Sequence, residues 1–427
     1  MNKPVSVLVL PGGTEAGLEI RRSLAPLKNV TLTSAGSGTS NHAAFVFERH
    51  FQIPTIHEPN WIQALNAVIA EQSIDYVFPA HDDVLVALVE NAEQINAAVL
   101  ASPLETCRIT RSKSETYRLL KHVLPVPRMF SSASEVNEYP VFIKPDKGEG
   151  SRGALLVHSE KDLHALVEKD PTSIIMEYLP GVEYTIDCFS DRDRGLLFSG
   201  GRERVRTRNG ISVNSRVADS PYFRDYALKI SGHLKLHGAW FFQLKESRSK
   251  ELTLLEVAPR IAGTMGLHRV LGVNFPLLSI YEHRREPLTI MPLRVAVEVD
   301  RALENRFRHD VEYDIAYFDL DDTLLLNGKV NLEVVRFLYQ CLNKGKSVVL
   351  ITKHSRDLNA TLARHRLTGL FDRIVHCKKG DSKADCIVEP RAILIDDSFS
   401  ERALVARERG ILTFDCSMLE MLIDDRS

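Results

Sequence analysis

No two cysteines stand in a CxxC pair. The six, Cys107, Cys188, Cys341, Cys377, Cys386 and Cys416, are scattered along 427 residues, which excludes a disulfide framework and a zinc-finger-like site and fits a reducing cytoplasm. Long hydrophobic runs are missing as well. No segment approaches the length of a membrane span, and the apolar stretch Val5 to Leu10 behind Met-Asn-Lys-Pro is too short for a signal peptide. Net charge is nearly absent, because 54 Lys+Arg face 56 Asp+Glu, so neither nucleic acid nor an anionic membrane surface is an expected partner. Internal repeats and low-complexity segments are also lacking. What is present, 44% hydrophobic and 26% charged residues, describes a soluble globular chain too long for one ordinary core.

Strand-like runs alternate with amphipathic helix-like runs, which predicts an α/β architecture. The first unit is the strand Val5 to Leu10, the turn Pro11-Gly-Gly-Thr14 and a helix from about Glu15 to Leu24. Its glycine spacing does not fit GxGxxG, and the second strand, Val30-Thr-Leu-Thr-Ser34, ends without the acid that would hold a ribose. A tight turn facing a substrate is expected in place of a nicotinamide or flavin site. Tyr76-Val-Phe-Pro-Ala-His-Asp-Asp83 is a further strand running into polar residues, where His81 and Asp82 either line the same edge or cap the next helix.

The last quarter of the chain places carboxylates at strand ends. Tyr313-Asp-Ile-Ala-Tyr-Phe-Asp-Leu-Asp-Asp-Thr delivers Asp319 and Asp321, Val348-Val-Leu-Ile runs into Thr352, and Ala392-Ile-Leu-Ile runs into Asp396 and Asp397. In a parallel sheet these ends share one edge, where ligands bind. The residues and their order resemble the haloacid dehalogenase (HAD) superfamily. The resemblance implies that Asp319 attacks a phosphate monoester, that Asp321 is the general acid and base, and that Thr352 and Lys383 hold phosphoryl oxygens. It also implies that Asp319, Asp321, Asp396 and Asp397 form the Mg²⁺ site. Lys378 and Lys379 compete with Lys383 for the lysine role, although Lys383 better fits the start of a helix. Thr323–Thr352 and Thr352–Lys383 each have room for a helix and a strand but hardly for a lid domain, so the module reads as capless.

In the middle of the chain, Val141-Phe-Ile-Lys144-Pro leads into Asp146-Lys-Gly148-Glu-Gly150-Ser151-Arg-Gly153, a loop able to wrap its backbone N–H groups around phosphates. Ile174-Ile-Met-Glu177-Tyr178-Leu179 and Glu183 follow, then Gln243 and Glu256 on successive strands joined by a charged turn, a hairpin suited to holding Mg²⁺. This set resembles the ATP-grasp superfamily, closest to its carbamoyl-phosphate synthetase and biotin carboxylase branch. The resemblance implies that Lys113 and Lys144 contact ATP phosphates beneath the loop of Gly148, Gly150 and Ser151. It implies further that Glu177, Tyr178 and Leu179 form the adenine hinge, that Glu183 meets the ribose, that Gln243 and Glu256 ligate Mg²⁺, and that Arg260 lies near the transferred phosphate. One departure is Ala258, where the family usually has a metal-binding Asn. Water or another side chain then substitutes, or the second metal binds weakly, or catalysis has been lost and only nucleotide binding remains.

Gly201-Arg202-Glu-Arg204-Val-Arg206-Thr-Arg208 puts four arginines on one face if it is a regular strand, with Arg206 and Arg208 the better substrate ligands because they lie near the Gly210 turn. A solvated edge strand is the alternative. The expected organisation is a pre-ATP-grasp Rossmann-like subdomain over 1–108, two α+β ATP-binding subdomains over 109–300, a linker over 301–311 and a capless Rossmannoid HAD-like domain over 312–427. This pairing is similar to proteins encoded beside tellurite-resistance-type operons in bacteria. The expected activities are an ATP-dependent carboxylate–amine ligase and a phosphatase acting on a phosphorylated metabolite, or a phosphatase whose ATP-grasp part only binds nucleotide as a cover. Oligomeric state stays open, with a homodimer common among ATP-grasp relatives.

Overall fold

The computed structural model describes residues 4–38, 41–148, 150, 152–378, 380–424 and 426. The chain divides into two compact units, Met1–Leu303 and Glu304–Ser427.

Among the described residues, the first unit contains three sheets. Its opening sheet is parallel, in the order Arg49–Gln52, Val30–Gly36, Val5–Leu10, Tyr76–Pro79 and Ala98–Val99. Val7, Leu8 and Val9 are fully buried, because helices cover both faces of a parallel sheet and leave no solvated side. The Pro11-Gly-Gly-Thr14 turn is tight for steric reasons. A Cβ on Gly12 would stand 2.5 Å from the Ser34 side chain, and Thr14 caps the helix Glu15–Leu24 through the Gly17 N–H. His81 likewise caps the helix Asp82–Glu90, and it also lines a cavity of the first unit beside Asp82, so the two alternatives for His81 are both formed.

A four-stranded sheet carries Val141–Pro145 at its centre, between Ser173–Glu177 and Leu155–Val157. The third sheet is antiparallel, in the order Leu252–Ala258, Gly238–Glu246, Glu183–Asp191, Gly195–Arg208, Ile211–Ala218 and Glu298–Asp300. One apolar core, including Val7, Ile20, Phe189, Phe241 and Phe275, joins this sheet to the opening one.

The second unit is a five-stranded parallel sheet in the order Arg373–His376, Ser347–Thr352, Ile315–Phe318, Ala392–Ile395 and Leu412–Phe414. Strand order reverses on either side of Ile315–Phe318, which opens a crevice at the carboxyl ends of the central strands. After the first strand comes a small hairpin, Leu325–Leu326 with Lys329–Val330, turned by Asn327 and Gly328 at φ 52° and 73°. Beyond it, the connections to Lys383 hold single helices and strands and no inserted lid among the described residues. No helix among the described residues is long and apolar enough to cross a membrane.

Candidate active sites

In the first unit, the expected phosphate-binding, hinge and metal residues converge on one cleft of about 300 Å³. Lys113, Lys144, Gly148, Gly150, Glu177, Tyr178, Leu179, Glu183, Gln243 and Glu256 all line it. Ser151 lies outside the described residues. Phe142, Met176, Leu179 and Leu255 are the apolar part of its lining, of a kind suited to a flat base. The Glu177 carboxylate is already engaged, accepting from the Arg128 backbone N–H at 2.8 Å.

Lys113 Nζ donates to the Gly148 carbonyl at 2.9 Å and so ties the helix Lys113–Leu120 to the glycine loop. Lys144 is buried, with Nζ 3.1 Å from the Tyr117 hydroxyl, which in turn donates to the Leu255 carbonyl at 2.6 Å. Burial, with Lys113 adding to it, depresses the Lys144 pKa from 10.5 to about 7.

The antiparallel registry sets one row across four strands: Arg202 faces Thr185, Thr185 faces Gln243, and Gln243 faces Glu256. A neighbouring row runs Glu203, Tyr184 and Leu244. The next on the cleft side pairs Glu183 with Lys245, and Arg204 bonds Glu183 at 3.0 Å. Gln243 and Glu256 thus stand side by side with oxygen donors suited to Mg²⁺. Ala258 faces Phe241 across the same hairpin, and both belong to the apolar core. No polar side chain replaces the family's Asn at that position.

A second, larger cavity of about 1000 Å³ shares Gly150, Arg152, Arg204, Gly210, Gln243 and Glu256 with the cleft. Thr14 and Asp82, from the ends of two strands of the opening sheet, line it with Arg260. Arg260 grips Asp82 through two bonds of 2.7 Å. Burial alone would raise the Asp82 pKa, but the Arg260 guanidinium outweighs it and holds it at about 2. This pair joins positions 178 residues apart and is beyond reach of motif reading.

Arg206 and Arg208 do not line either cavity, which corrects the substrate expectation for both. The registry shift between Arg204 and Arg206 places an extra residue, Val205, in the strand, and this bulge turns Thr207 toward the cleft where alternation would have put Arg206. Both arginines are exposed, and Arg206 pairs with the exposed Asp300. Arg202 and Arg204, upstream of the bulge, are the ones that face the cavity. Arg206→Ala and Arg208→Ala are therefore expected to leave ATP turnover within about twofold, since an exposed pair contributes at most about 1 kcal/mol. Arg204→Ala is expected to cost at least tenfold, read in steady-state kinetics.

Residues 169–302 match the protein family described as ATP-grasp in the biosynthetic pathway with Ter operon. The chain is 23% identical over 276 residues to the carbamoyl phosphate synthase arginine-specific large chain of Bacillus subtilis, covering 58% of this chain and 26% of that protein. It is 30% identical over 100 residues to the D-alanine–D-alanine ligase of Petrotoga mobilis, covering 22% and 34%. The crystal structure of N5-carboxyaminoimidazole synthetase from Staphylococcus aureus complexed with ADP superposes with a TM-score of 0.58 at 16% identity, over 71% of this chain and 83% of that one. The first unit has the ATP-grasp fold. The chain spans between a quarter and about a third of the length of these two curated relatives.

Downstream of the ATP-grasp unit, the second unit gathers its acidic residues at the crevice. Oxygens of Asp319, Asp396 and Asp397 lie within 4.8 Å of one another, a donor set that fits Mg²⁺. Lys383 Nζ sits between Asp319 and Asp396 at 2.6 Å from each. Lys378 is exposed and bonds Asp381 through its backbone, and Lys379 lies outside the described residues, so among the described lysines Lys383 is the one in the crevice. Burial pushes the Asp319 pKa up to about 7, with Lys383 opposing and Asp396 reinforcing the shift. Burial works against the Lys383 charge, yet the two carboxylates hold its pKa above the ordinary value.

Thr352 is fully buried at its strand end, and its hydroxyl accepts the His354 N–H at 3.1 Å. The Asp321 carboxylate is not part of the acidic cluster, which corrects its metal-ligand expectation. It bonds His354 Nδ1 at 2.9 Å, and His354 Nε2 is in turn held by Thr361 at 2.9 Å. His354 was missed in the sequence because it follows Thr352 in a loop with no pattern of its own.

Proposed function

We propose that the chain joins an ATP-dependent ligase to a Mg²⁺-dependent phosphomonoesterase. One observation carries the ligase reading: a cleft lined by Lys113 and Lys144 beside the glycine loop shares Gln243 and Glu256 with a larger, arginine-rich cavity. Lys113 and Lys144 hold the ATP phosphates, Glu183 meets the ribose, and Gln243 and Glu256 hold Mg²⁺, which offsets phosphate charge. A carboxylic acid in the larger cavity takes the terminal phosphoryl group beside Arg260. An amine then attacks the acyl phosphate, releasing phosphate and leaving ADP. Similarity to ligases that join amino acids supports an amine as the second substrate.

In the second unit, Asp319 attacks a phosphate monoester and becomes an aspartyl phosphate, while Asp321, oriented by His354, protonates the leaving alcohol and later deprotonates the hydrolytic water. Asp319, Asp396 and Asp397 hold Mg²⁺, which screens the carboxylates from the incoming dianion. Thr352 and Lys383 contact the phosphoryl oxygens. The phosphorylated metabolite belongs to the same pathway as the ligase product, and we place the protein in the cytoplasm.

A second reading, in which the ATP-grasp unit binds nucleotide without turnover, is favoured by the apolar setting of Ala258. ADP release from Mg-ATP in a small-molecule bacterial extract separates the two. Asp319→Asn, silent as a phosphatase, is expected to release ADP in an extract-dependent manner, and the double variant with Lys144→Ala is expected to stay at background. Background ADP in both, with nucleotide still bound by the single variant, would leave the second reading standing.

A further inference from the structure

The larger cavity of the ATP-grasp unit contains an arginine that its surroundings hold but do not saturate. Arg202 is 2% exposed and is fixed from behind: Nε and NH2 donate to Asp187 at 2.9 and 3.2 Å, and Asp187 is also bonded by His268 Nδ1 at 2.9 Å. Room for that imidazole depends on Gly200, where a Cβ would stand 2.5 Å from His268 Nε2. The remaining nitrogen, NH1, is buried and has no hydrogen-bond partner among the described residues, and the same is true of Thr185 Oγ1 directly across the strand. Both residues line the cavity.

A buried donor without a partner costs on the order of 1–3 kcal/mol, more when it is charged, so two such groups in residues that line one cavity mark a place where an acceptor would be stabilised once a small side-chain shift uncovers them. The surroundings favour an anion. Five arginines line the cavity; Arg202, Arg204 and Arg260 are paired with Asp187, Glu183 and Asp82, but Arg202 NH1 and Arg204 Nε keep no hydrogen-bond partner among the described residues. The cavity has more volume than a small monocarboxylic acid would fill. Arg202 and Glu256 also stand at opposite ends of the four-strand row, three interstrand steps or roughly 14 Å apart across the sheet from backbone to backbone.

We propose that the acceptor of this site carries a second acidic group, a carboxylate or a phosphate, which docks on Arg202 NH1 and Thr185 Oγ1 away from the group that reacts beside Glu256. Asp187 and His268 are positioning residues that keep the guanidinium fork fixed. The proposal rests on the ligase reading for the identity of the cavity, but anion binding at Arg202 can be measured without turnover.

The test uses the full chain saturated with Mg²⁺ and a non-hydrolysable ATP analogue, titrated calorimetrically with inorganic phosphate and with dicarboxylates from malonate to adipate, each beside its monocarboxylate counterpart. The expected result is that at least one dianion binds the wild type tenfold or more tightly than its monoanion. Arg202→Lys, which keeps a cation against Asp187 but loses the fork, is expected to erase that preference. Thr185→Val removes a hydroxyl without a partner and so endangers folding little, and it is expected to weaken the same dianion several-fold while nucleotide affinity is unchanged. Equal binding of dianions and monoanions by the wild type, or a preference that survives both substitutions, overturns the proposal. Failure of the ligase reading has a different outcome: dianions bind through Arg202, yet no acid or extract sustains ADP release.

Discussion

Asp319→Asn is expected to abolish phosphomonoester hydrolysis, by at least about 10³-fold, and at the same time to make the metal-free protein more stable. The opposite signs follow from one geometry. Asp319 and Asp396 are buried on either side of Lys383, so two carboxylates share one ammonium. Burial holds Asp319 at a pKa of about 7, above its ordinary 3.8, so between these values the folded state binds more protons than the unfolded state. Its contribution to stability is therefore greatest at low pH and is lost as pH rises through 7. An asparagine is neutral throughout and escapes that loss.

Melting curves in EDTA at pH 8 should place Asp319→Asn several degrees above wild type, with the gap narrowed at pH 5 and small only at about pH 4 and below, where the unfolded carboxyl is protonated too. Lys383→Ala should behave in the opposite way, because it leaves buried carboxylates without their cation, a loss of about 3–5 kcal/mol. Added Mg²⁺ should restore much of that stability, since Asp319, Asp396 and Asp397 form the donor set, but should not restore hydrolysis. Equal melting temperatures for all three proteins in EDTA would mean that the triad is not strained and that the crevice is an ordinary polar cluster.

Much of both sites was legible because each rests on a short-range rule. Apolar runs ending in Asp319, Thr352 and Asp396 marked a parallel sheet edge, and Gln243 and Glu256 were paired by a hairpin with a charged turn. The failures have a different physical origin. Alternation pointed to four arginines on one face, but the bulge at Val205 reverses the phase after Arg204, and a one-residue insertion leaves no mark in composition. Arg260 with Asp82, and Asp187 with His268, are brought together only by packing of separate elements. Asp321 has the right spacing for a metal ligand, yet Asp322 takes a left-handed conformation at φ 57° in the turn after it, and the carboxylate is bonded to His354. Registry, bulges and long-range partners were therefore illegible, while strand ends and hairpins could be read.

Lys144 gives the second large effect, and its proton distinguishes a working phosphate site from a buried structural lysine. Lys144→Met is expected to lower ADP formation by at least about 100-fold, because a phosphate-facing cation acts in a site shielded from water. The same change should stabilise the nucleotide-free protein near neutral pH. Burial lowers the Lys144 pKa from 10.5 to about 7, so between pH 7 and 10.5 the unfolded chain binds more protons than the folded one. Stability then rises with pH across that window, and the penalty is fully present below 7. Phosphates arriving beside Nζ favour the charged form and raise the pKa again. Nucleotide binding at pH 8 should therefore take up close to one proton, measured by calorimetry in buffers of different ionisation enthalpy, and the uptake should fade below pH 6, where the lysine is already charged. Lys144→Met should show no such uptake at either pH. Proton uptake that persists in the variant would assign the proton to another group and remove Lys144 from the phosphate site.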